Sequence, residues 1–303
     1  MELRHLRYLI AVADEGNVTR AAARLGIQQP PLSQQIKALE TELGIALFVR
    51  HPKGVALTPG GAAFLDEARA IIARVERASV RAVRVADGSE GSLTIGLTSS
   101  VVAHRLAPDI IRAHREAFPA VALEVREGNA ADLTAAVSAG DIDVAFVREP
   151  VARPAELAYR SLLEEPMLLV LPHGHRAAGT ARTARAVRLK TLADEAFILV
   201  RRPGAPGMYA NLITACHRLG FAPRIATEVS HMGTNIMLVA AGVGVSVVPA
   251  SMRDTHRDLV TYHRLSDAPE LVAPLTLAHR RDSPNPVIAP FITLSASMAR
   301  RRA

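Results

Sequence analysis

Apolar residues recur at helical spacing through the first 58 positions of the chain. Leu3, Leu6, Ile10 and Ala13 mark one helix, which Gly16-Asn17 ends. Asn17 is placed to cap a second helix whose inward face is Val18, Ala21, Ala22 and Leu25, and Gly26 stands where a terminating glycine belongs. A third helix opens at Pro30-Pro31, because first-turn N–H groups have no intrahelical acceptor and their absence costs little. Its buried stripe is Leu32, Ile36, Leu39 and Leu43. About four residues separate helices two and three, as in a helix-turn-helix. Phe48-Val49-Arg50 and Val55-Ala56-Leu57 then flank the turn-like His51-Pro52-Lys53-Gly54, which predicts the hairpin wing of a winged helix-turn-helix.

Thr58-Pro59 opens a long helix running from about Gly60 to Ala86. Phe64, Ala68, Ile71, Val75, Ala78, Ala82 and Val85 step alternately by four and three, with Leu65 and Ile72 alongside. That 3.5-residue period over residues 64–85 reads as the seam of a coiled-coil-like dimerisation helix, which from 60 to 86 is about 40 Å long. A helix packed on its own domain fits the same pattern. Asp87-Gly88-Ser89-Glu90-Gly91 is a polar hinge. Beyond it, strand candidates at Leu93–Leu97, Ala122–Val125, Val144–Val147, Leu168–Leu171, Phe197–Val200, Ile225–Val229, Val245–Val248 and Leu275–Ala278 alternate with helical stretches near 104–117, 130–139, 208–219, 233–241 and 286–298. The alternation predicts an α/β domain with mostly parallel sheets. The expected organisation is a winged helix-turn-helix over 1–58, a linker helix over 59–87, a hinge at 88–91 and an α/β domain over 92–303.

Composition narrows the function without naming it. With 49% hydrophobic and 21% charged residues, the 303-residue chain is ordinary for a globular protein, and its length suits two domains. No apolar run approaches the ~20 residues that span a bilayer. The charged N-terminus does not resemble a signal peptide, and one cysteine, Cys216, cannot form an intramolecular disulfide; a cytoplasmic location is expected. The net charge of +7 permits an acidic partner such as DNA, but residues 1–90 carry only +2 of it. All but three of the 36 basic residues (Lys37, Lys53 and Lys190) are arginine.

The run Ala21-Ala22-Ala23-Arg24-Leu25-Gly26-Ile27-Gln28-Gln29-Pro30-Pro31-Leu32-Ser33-Gln34-Gln35-Ile36-Lys37-Ala38-Leu39-Glu40 closely resembles the helix-turn-helix of LysR-type transcriptional regulators. Glu42-Leu43-Gly44, Leu47-Phe48-Val49-Arg50 and Leu57-Thr58-Pro59-Gly60-Gly61 resemble that family's continuation in order and spacing, and the length and pattern of the remainder match its effector domain. The resemblance implies a dimer through the linker helix, assembled as a dimer-of-dimers tetramer. It also implies double-stranded DNA, RNA polymerase and a small effector as partners, and no cofactor or membrane. The effector domain is expected to resemble periplasmic solute-binding proteins, with lobe I at about 92–161 plus 267–303, lobe II at about 162–266, and the ligand between them.

With its stripe turned inward, the third helix exposes Gln29, Pro30, Ser33, Gln34 and Lys37. A glutamine can bond bidentately to adenine in the major groove, and serine is more permissive. Lys37, Arg50 and Lys53 suit phosphates, which set register without reading sequence. A solvated helix face and a solvated hairpin tip are the plain alternatives. Many members of the family carry arginine where Gln34 stands, which points to an altered half-site.

Ligands of open α/β sheets bind beyond the carboxyl ends of strands. That rule selects Thr98, Ser99 and Ser100, Gly128-Asn129, Arg148, Arg201-Arg202-Pro203-Gly204, and Met232-Gly233-Thr234-Asn235. The resemblance places the Ser99, Ser100 and Asn129 positions at the effector cleft; Thr98, Arg148, Arg202, Pro203 and Thr234 complete the expected contacts, for a small organic acid. Competing roles remain open: the serines and Asn129 also suit helix caps, Arg148 can pair with Glu149 or solvent, and the arginines at 201 and 202 suit a surface. The tracts Gly220–Ile225 and Ala241–Ser251 resemble members that control aromatic catabolism.

No enzyme is expected. Gly242-Val243-Gly244 follows a helix and precedes a strand, the reverse of a dinucleotide fingerprint. His173-Gly174-His175 lacks zinc-like partners, no Ser–His–acid spacing is present, and Cys216 lies on an apolar helix face. A solute-binding protein or an architectural DNA binder are the competing classes.

Overall fold

The stripes predicted for the first three helices meet in one core. The computed structural model describes residues 1–148, 153–178, 186–200 and 209–301, and the chain divides into two units, Met1–Arg84 and Val85–Ala303. In the first unit α1 (Leu3–Glu15), α2 (Val18–Leu25) and α3 (Gln29–Leu43) enclose Leu6, Leu9, Val12, Ala21, Leu32 and Leu39. Asn17 caps α2 by accepting from the Thr19 and Arg20 amides at 2.9 and 3.1 Å, and Gly26 closes it at φ 67°. The wing is β1 (Phe48–His51) paired with β2 (Gly54–Leu57) around Pro52-Lys53. It is seated on the α1–α2 turn, where the Val55 amide donates to Gly16 O at 2.9 Å. A Cβ on Gly54 would lie 2.2 Å from that carbonyl, so only glycine fits.

The Thr58 hydroxyl accepts from the Gly61 amide at 2.8 Å and starts α4 (Pro59–Ala86), 28 residues and therefore about 42 Å long. Gly61, Leu65 and Ala68 are buried, and Phe64 and Ile72 pack beside them, so the head of the repeat completes the winged-helix core. Farther along, Ile71, Ala78, Ala82 and Val85 are exposed. The repeat thus divides between a seat in its own unit and a free apolar edge.

The second unit is built from β3 (Glu90–Leu97), α5 (Ser99–Val102), α6 (Leu106–Ala117), β4 (Ala120–Glu127), α7 (Ala130–Ala139), β5 (Val144–Arg148), β6 (Leu157–Pro172), β7 (Ala196–Val200), α8 (Ala210–Arg218), β8 (Arg224–Val229), α9 (Met232–Ala240), β9 (Ser246–Pro249), β10 (Val260–Arg264), β11 (Val272–Arg280) and α10 (Ile288–Arg300). One sheet runs β10-β6-β11-β5-β3-β4, with β9 also on β6. Pairs β3–β4, β3–β5 and β7–β8 are parallel, but β11 pairs antiparallel with β5 and β6, and β6 with β9 and β10. The sheet is therefore mixed rather than mostly parallel; hydrophobic periodicity does not report strand direction.

Strand β6 serves two lobes. Its first half pairs with β11 up to Pro166, and from Met167 onward it pairs with β9 and β10. In lobe I, Leu93, Ile95, Phe146, Leu277 and Phe291 pack on one face of the sheet, with Leu133, Val137 and Val147 on the other. Lobe II repeats this with Leu169, Phe197, Tyr209 and Val247 against Val170, Ile198, Ile236 and Val248. Burial on both faces explains the unbroken apolar runs of β5 and β9.

Candidate DNA-reading face and inter-lobe cleft

Helix α3 turns Leu32, Ile36 and Leu39 inward, which leaves Gln29, Pro30, Gln34 and Lys37 exposed and Ser33 half-buried. The Gln29 amide nitrogen donates to Ser33 Oγ at 2.7 Å. One N–H and the carbonyl oxygen of that amide stay available, the pair that matches adenine. Glu40, one of two acids on the same helix, accepts from the Leu47 and Phe48 amides at 2.7 and 3.1 Å, so its charge is engaged by backbone. Arg50 is exposed on β1 and Lys53 at the tip of the hairpin. A hollow of about 430 Å³ between α3 and the wing is lined by Ser33, Gln34, Lys37, Phe48 and Arg50 among others. Polar readers and cations thus share one face.

In the second unit the carboxyl ends of β3, β4, β5 and β8 carry the expected cleft residues. Thr98 and Ser100 are buried with their hydroxyls 3.4 Å apart, and Ser99 is half-buried. Ser99 Oγ accepts from the Met232 amide at 3.1 Å, a bond from lobe I to the first turn of α9 in lobe II. Thr234 is exposed on that same turn. Asn129 is the N-cap of α7: its oxygen accepts from the Asp132 amide at 2.9 Å and its nitrogen donates to the Asp132 carboxylate at 2.6 Å. Arg202 and Pro203 lie outside the described residues.

Arg148 has another commitment. Its side chain is 3% exposed and forms an ion pair with Glu165, and it donates to Ala273 O at 2.8 Å. Glu165 also accepts from the Ser251 amide at 2.6 Å and the Ser251 hydroxyl at 3.0 Å. Burial pulls the Arg148 guanidinium below its usual range, and the Glu165 charge opposes that shift. Buried Asn235 donates to Ile198 O at 2.9 Å, and its oxygen has no partner among the described residues. Among those residues no group of three or more His, Cys, Asp or Glu side chains is placed to hold a metal ion.

Residues 3–62 match the family model described as bacterial regulatory helix-turn-helix protein, lysR family, and residues 86–300 match the LysR substrate binding domain. The chain belongs to the LysR family of transcriptional regulators. It is 37% identical to the HTH-type transcriptional regulator BudR of Raoultella terrigena, over 97% of this chain and 100% of that one. The solved structure of CbnR, a LysR family transcriptional regulator, superposes with a TM-score of 0.84 at 29% identity, covering 97% of this chain and 100% of that one. Full-length CbnR complexed with its target DNA gives 0.81 at 28% identity over 99% and 100%. This LysR regulator is therefore a DNA-binding protein with an effector-binding domain and not an enzyme.

Sequence reasoning passed over four residues that join parts of the effector domain: Glu127, Glu165, His231 and Ser251. Glu127 and His231 sit at the ends of β4 and β8, where the carboxyl-end rule already pointed. The ring of His231 lies 3.5 Å from the Glu127 carboxylate, again across the lobes. Glu165 and Ser251 carried no comparable signal.

Proposed function

We propose that this regulator reads its operator with Gln29, Pro30, Ser33 and Gln34 and holds phosphates with Lys37, Arg50 and Lys53. The observation that carries this is the hollow between α3 and the wing, lined by Ser33, Gln34, Lys37 and Arg50, with Gln29, Pro30 and Lys53 exposed on the same two elements. Dimers form through residues 64–85 of α4, supported by the free apolar edge beyond Ile71, and pair into a tetramer that contacts RNA polymerase in the cytoplasm. Fluorescence anisotropy with DNA from just upstream of its own gene, over a salt series, tests the reading. A preference of about 10³-fold over scrambled DNA is expected; a steep salt slope without preference overturns it.

The effector in this proposal is a small organic anion in the inter-lobe cleft. Thr98, Ser99, Ser100 and Thr234 supply hydroxyls, Asn129 supplies the capped start of α7, and Arg202 and Pro203 are the further contacts expected from the sequence. Arg148 belongs to the same end of lobe I, but its hydrogen bonds go to Glu165 and Ala273, so it supports the site from behind. Calorimetric titration of organic acids into the full-length chain is expected to show binding that Ser99→Ala with Asn129→Ala abolishes. Unchanged affinity in that double variant removes these residues from the site.

A further inference from the structure

Helix α9 lacks a cap of its own. Its N-cap residue is His231, whose side chain bonds none of the first-turn amides, although a helix start has four N–H groups without intrahelical partners. The missing acceptor comes from the other lobe: Ser99 Oγ takes the Met232 amide at 3.1 Å. Met232 is buried and Ser99 half-buried, so the bond is sheltered from solvent. One residue earlier, His231 faces Glu127 at 3.5 Å. Both side chains of that contact are more than half exposed, so it aligns the lobes and adds little by itself.

We infer that Ser99 supplies from lobe I the capping acceptor that His231 does not give α9, and that with Glu127–His231 it forms a clasp holding the cleft shut before an effector arrives. Ser99 is then a positioning residue for lobe II. The consequence for regulation rests on the effector reading above: Ser99 Oγ accepts from the Met232 amide while its O–H can donate to an effector anion, so one hydroxyl serves the clasp and the ligand together. Effector binding in this scheme reinforces a closure already present, and the shift it makes between the open and the closed cleft is what the rest of the regulator senses.

The clasp is tested without effector or DNA, so its failure leaves the effector reading standing. Hydrogen exchange is followed by mass spectrometry in the full-length chain for the parent, Ser99→Ala and Ser99→Thr. Losing a cap accelerates exchange of the amides it protects roughly five-fold. That change is expected in Ser99→Ala, confined to peptides covering 231–236, with parental rates restored in Ser99→Thr, which keeps the hydroxyl. Unaltered exchange at 231–236 in Ser99→Ala overturns the inference. Acceleration spread equally over β3 and α6 also overturns it, because Ser99 would then serve the fold of lobe I.

Discussion

Replacing Glu165 with alanine isolates the energetics of the one buried ion pair described at the lobe crossing. The substitution strips Arg148 of its counter-charge while its side chain stays 3% exposed, and it leaves the Ser251 amide and hydroxyl without their acceptor. Breaking a buried pair from one side costs about 3–5 kcal/mol, because the surviving charge cannot recover its hydration. For a unit the size of Val85–Ala303, each kcal/mol moves the melting temperature by about 2–4 °C, so Glu165→Ala is expected to lower it by about 6–20 °C. The exposed pair Asp254–Arg257, with side chains 70% and 71% exposed, is the control, and Asp254→Ala should cost about 0–1 kcal/mol. Replacing both charges, as Arg148→Met with Glu165→Leu, should recover most of the loss, short of the orphaned Ser251 amide at about 1–3 kcal/mol. Differential scanning calorimetry of the full chain reads all four proteins. Glu165→Ala melting within about 3 °C of the parent, or a double variant no better than the single one, would refute the desolvation argument.

His114 carries a second prediction: it is fully buried between Phe118 and Phe291, both ring nitrogens lack partners among the described residues, and burial lowers its pKa from the usual 6.5. The folded chain then binds fewer protons than the unfolded one, so the stability it contributes is full above about pH 6.5 and lost as pH falls through the lowered folded value. His114→Leu should raise the melting temperature, and by more at about pH 5.5 than at about pH 7.5; an equal gain at both contradicts the assignment. Lys53→Ala should weaken binding to every DNA and reduce the salt slope by about one, whereas Gln34→Ala should shift base preference; anisotropy on cognate and scrambled duplexes separates them. Val75→Asp with Ala82→Asp should dissociate the assembly in sedimentation velocity, and an unchanged mass would remove α4 from the interface. Burial, with the Asp267 charge adding to it, pushes the Cys216 thiol up to about 12. It should therefore resist a disulfide reagent until denaturant is added, when one thiol per chain appears.

The winged helix was legible because each of its devices is local: Asn17, Gly26, Pro30-Pro31 and Thr58 act within a turn of where they stand. The exposure of Gln29, Pro30, Gln34 and Lys37 followed once the inward stripe of α3 was known. The effector domain was less open to reading where its structure depends on distant partners. The first half of β6 reads Leu157-Ala-Tyr-Arg-Ser-Leu-Leu-Glu-Glu-Pro166, and paired glutamates with a proline argue against a strand. They are tolerated because Glu165 is neutralised by Arg148 and Pro166 falls at the crossing between sheets. With that strand unseen, the counter-ion the sequence offered Arg148 was its neighbour Glu149 and not Glu165, and Arg148 stood among the expected ligand contacts. Asn129 is the opposite case, since the cap that was its plain alternative is the role its hydrogen bonds take.

The root of α4 gives this regulator a gear ratio. Gly61 approaches Leu47 so closely that a Cβ would sit 2.0 Å from its carbonyl oxygen, and Leu65 and Ala68 are sunk in the same core. The head of the helix therefore turns with α3 as one body, while about 20 residues extend beyond as a stiff rod. A tilt of ~5° about that root sweeps the far end of the ~30 Å rod through ~2.6 Å, most of the ~3.4 Å rise of one base pair. In the dimer proposed above, angular changes of a few degrees along α4 thus translate into most of a step of register between two reading heads.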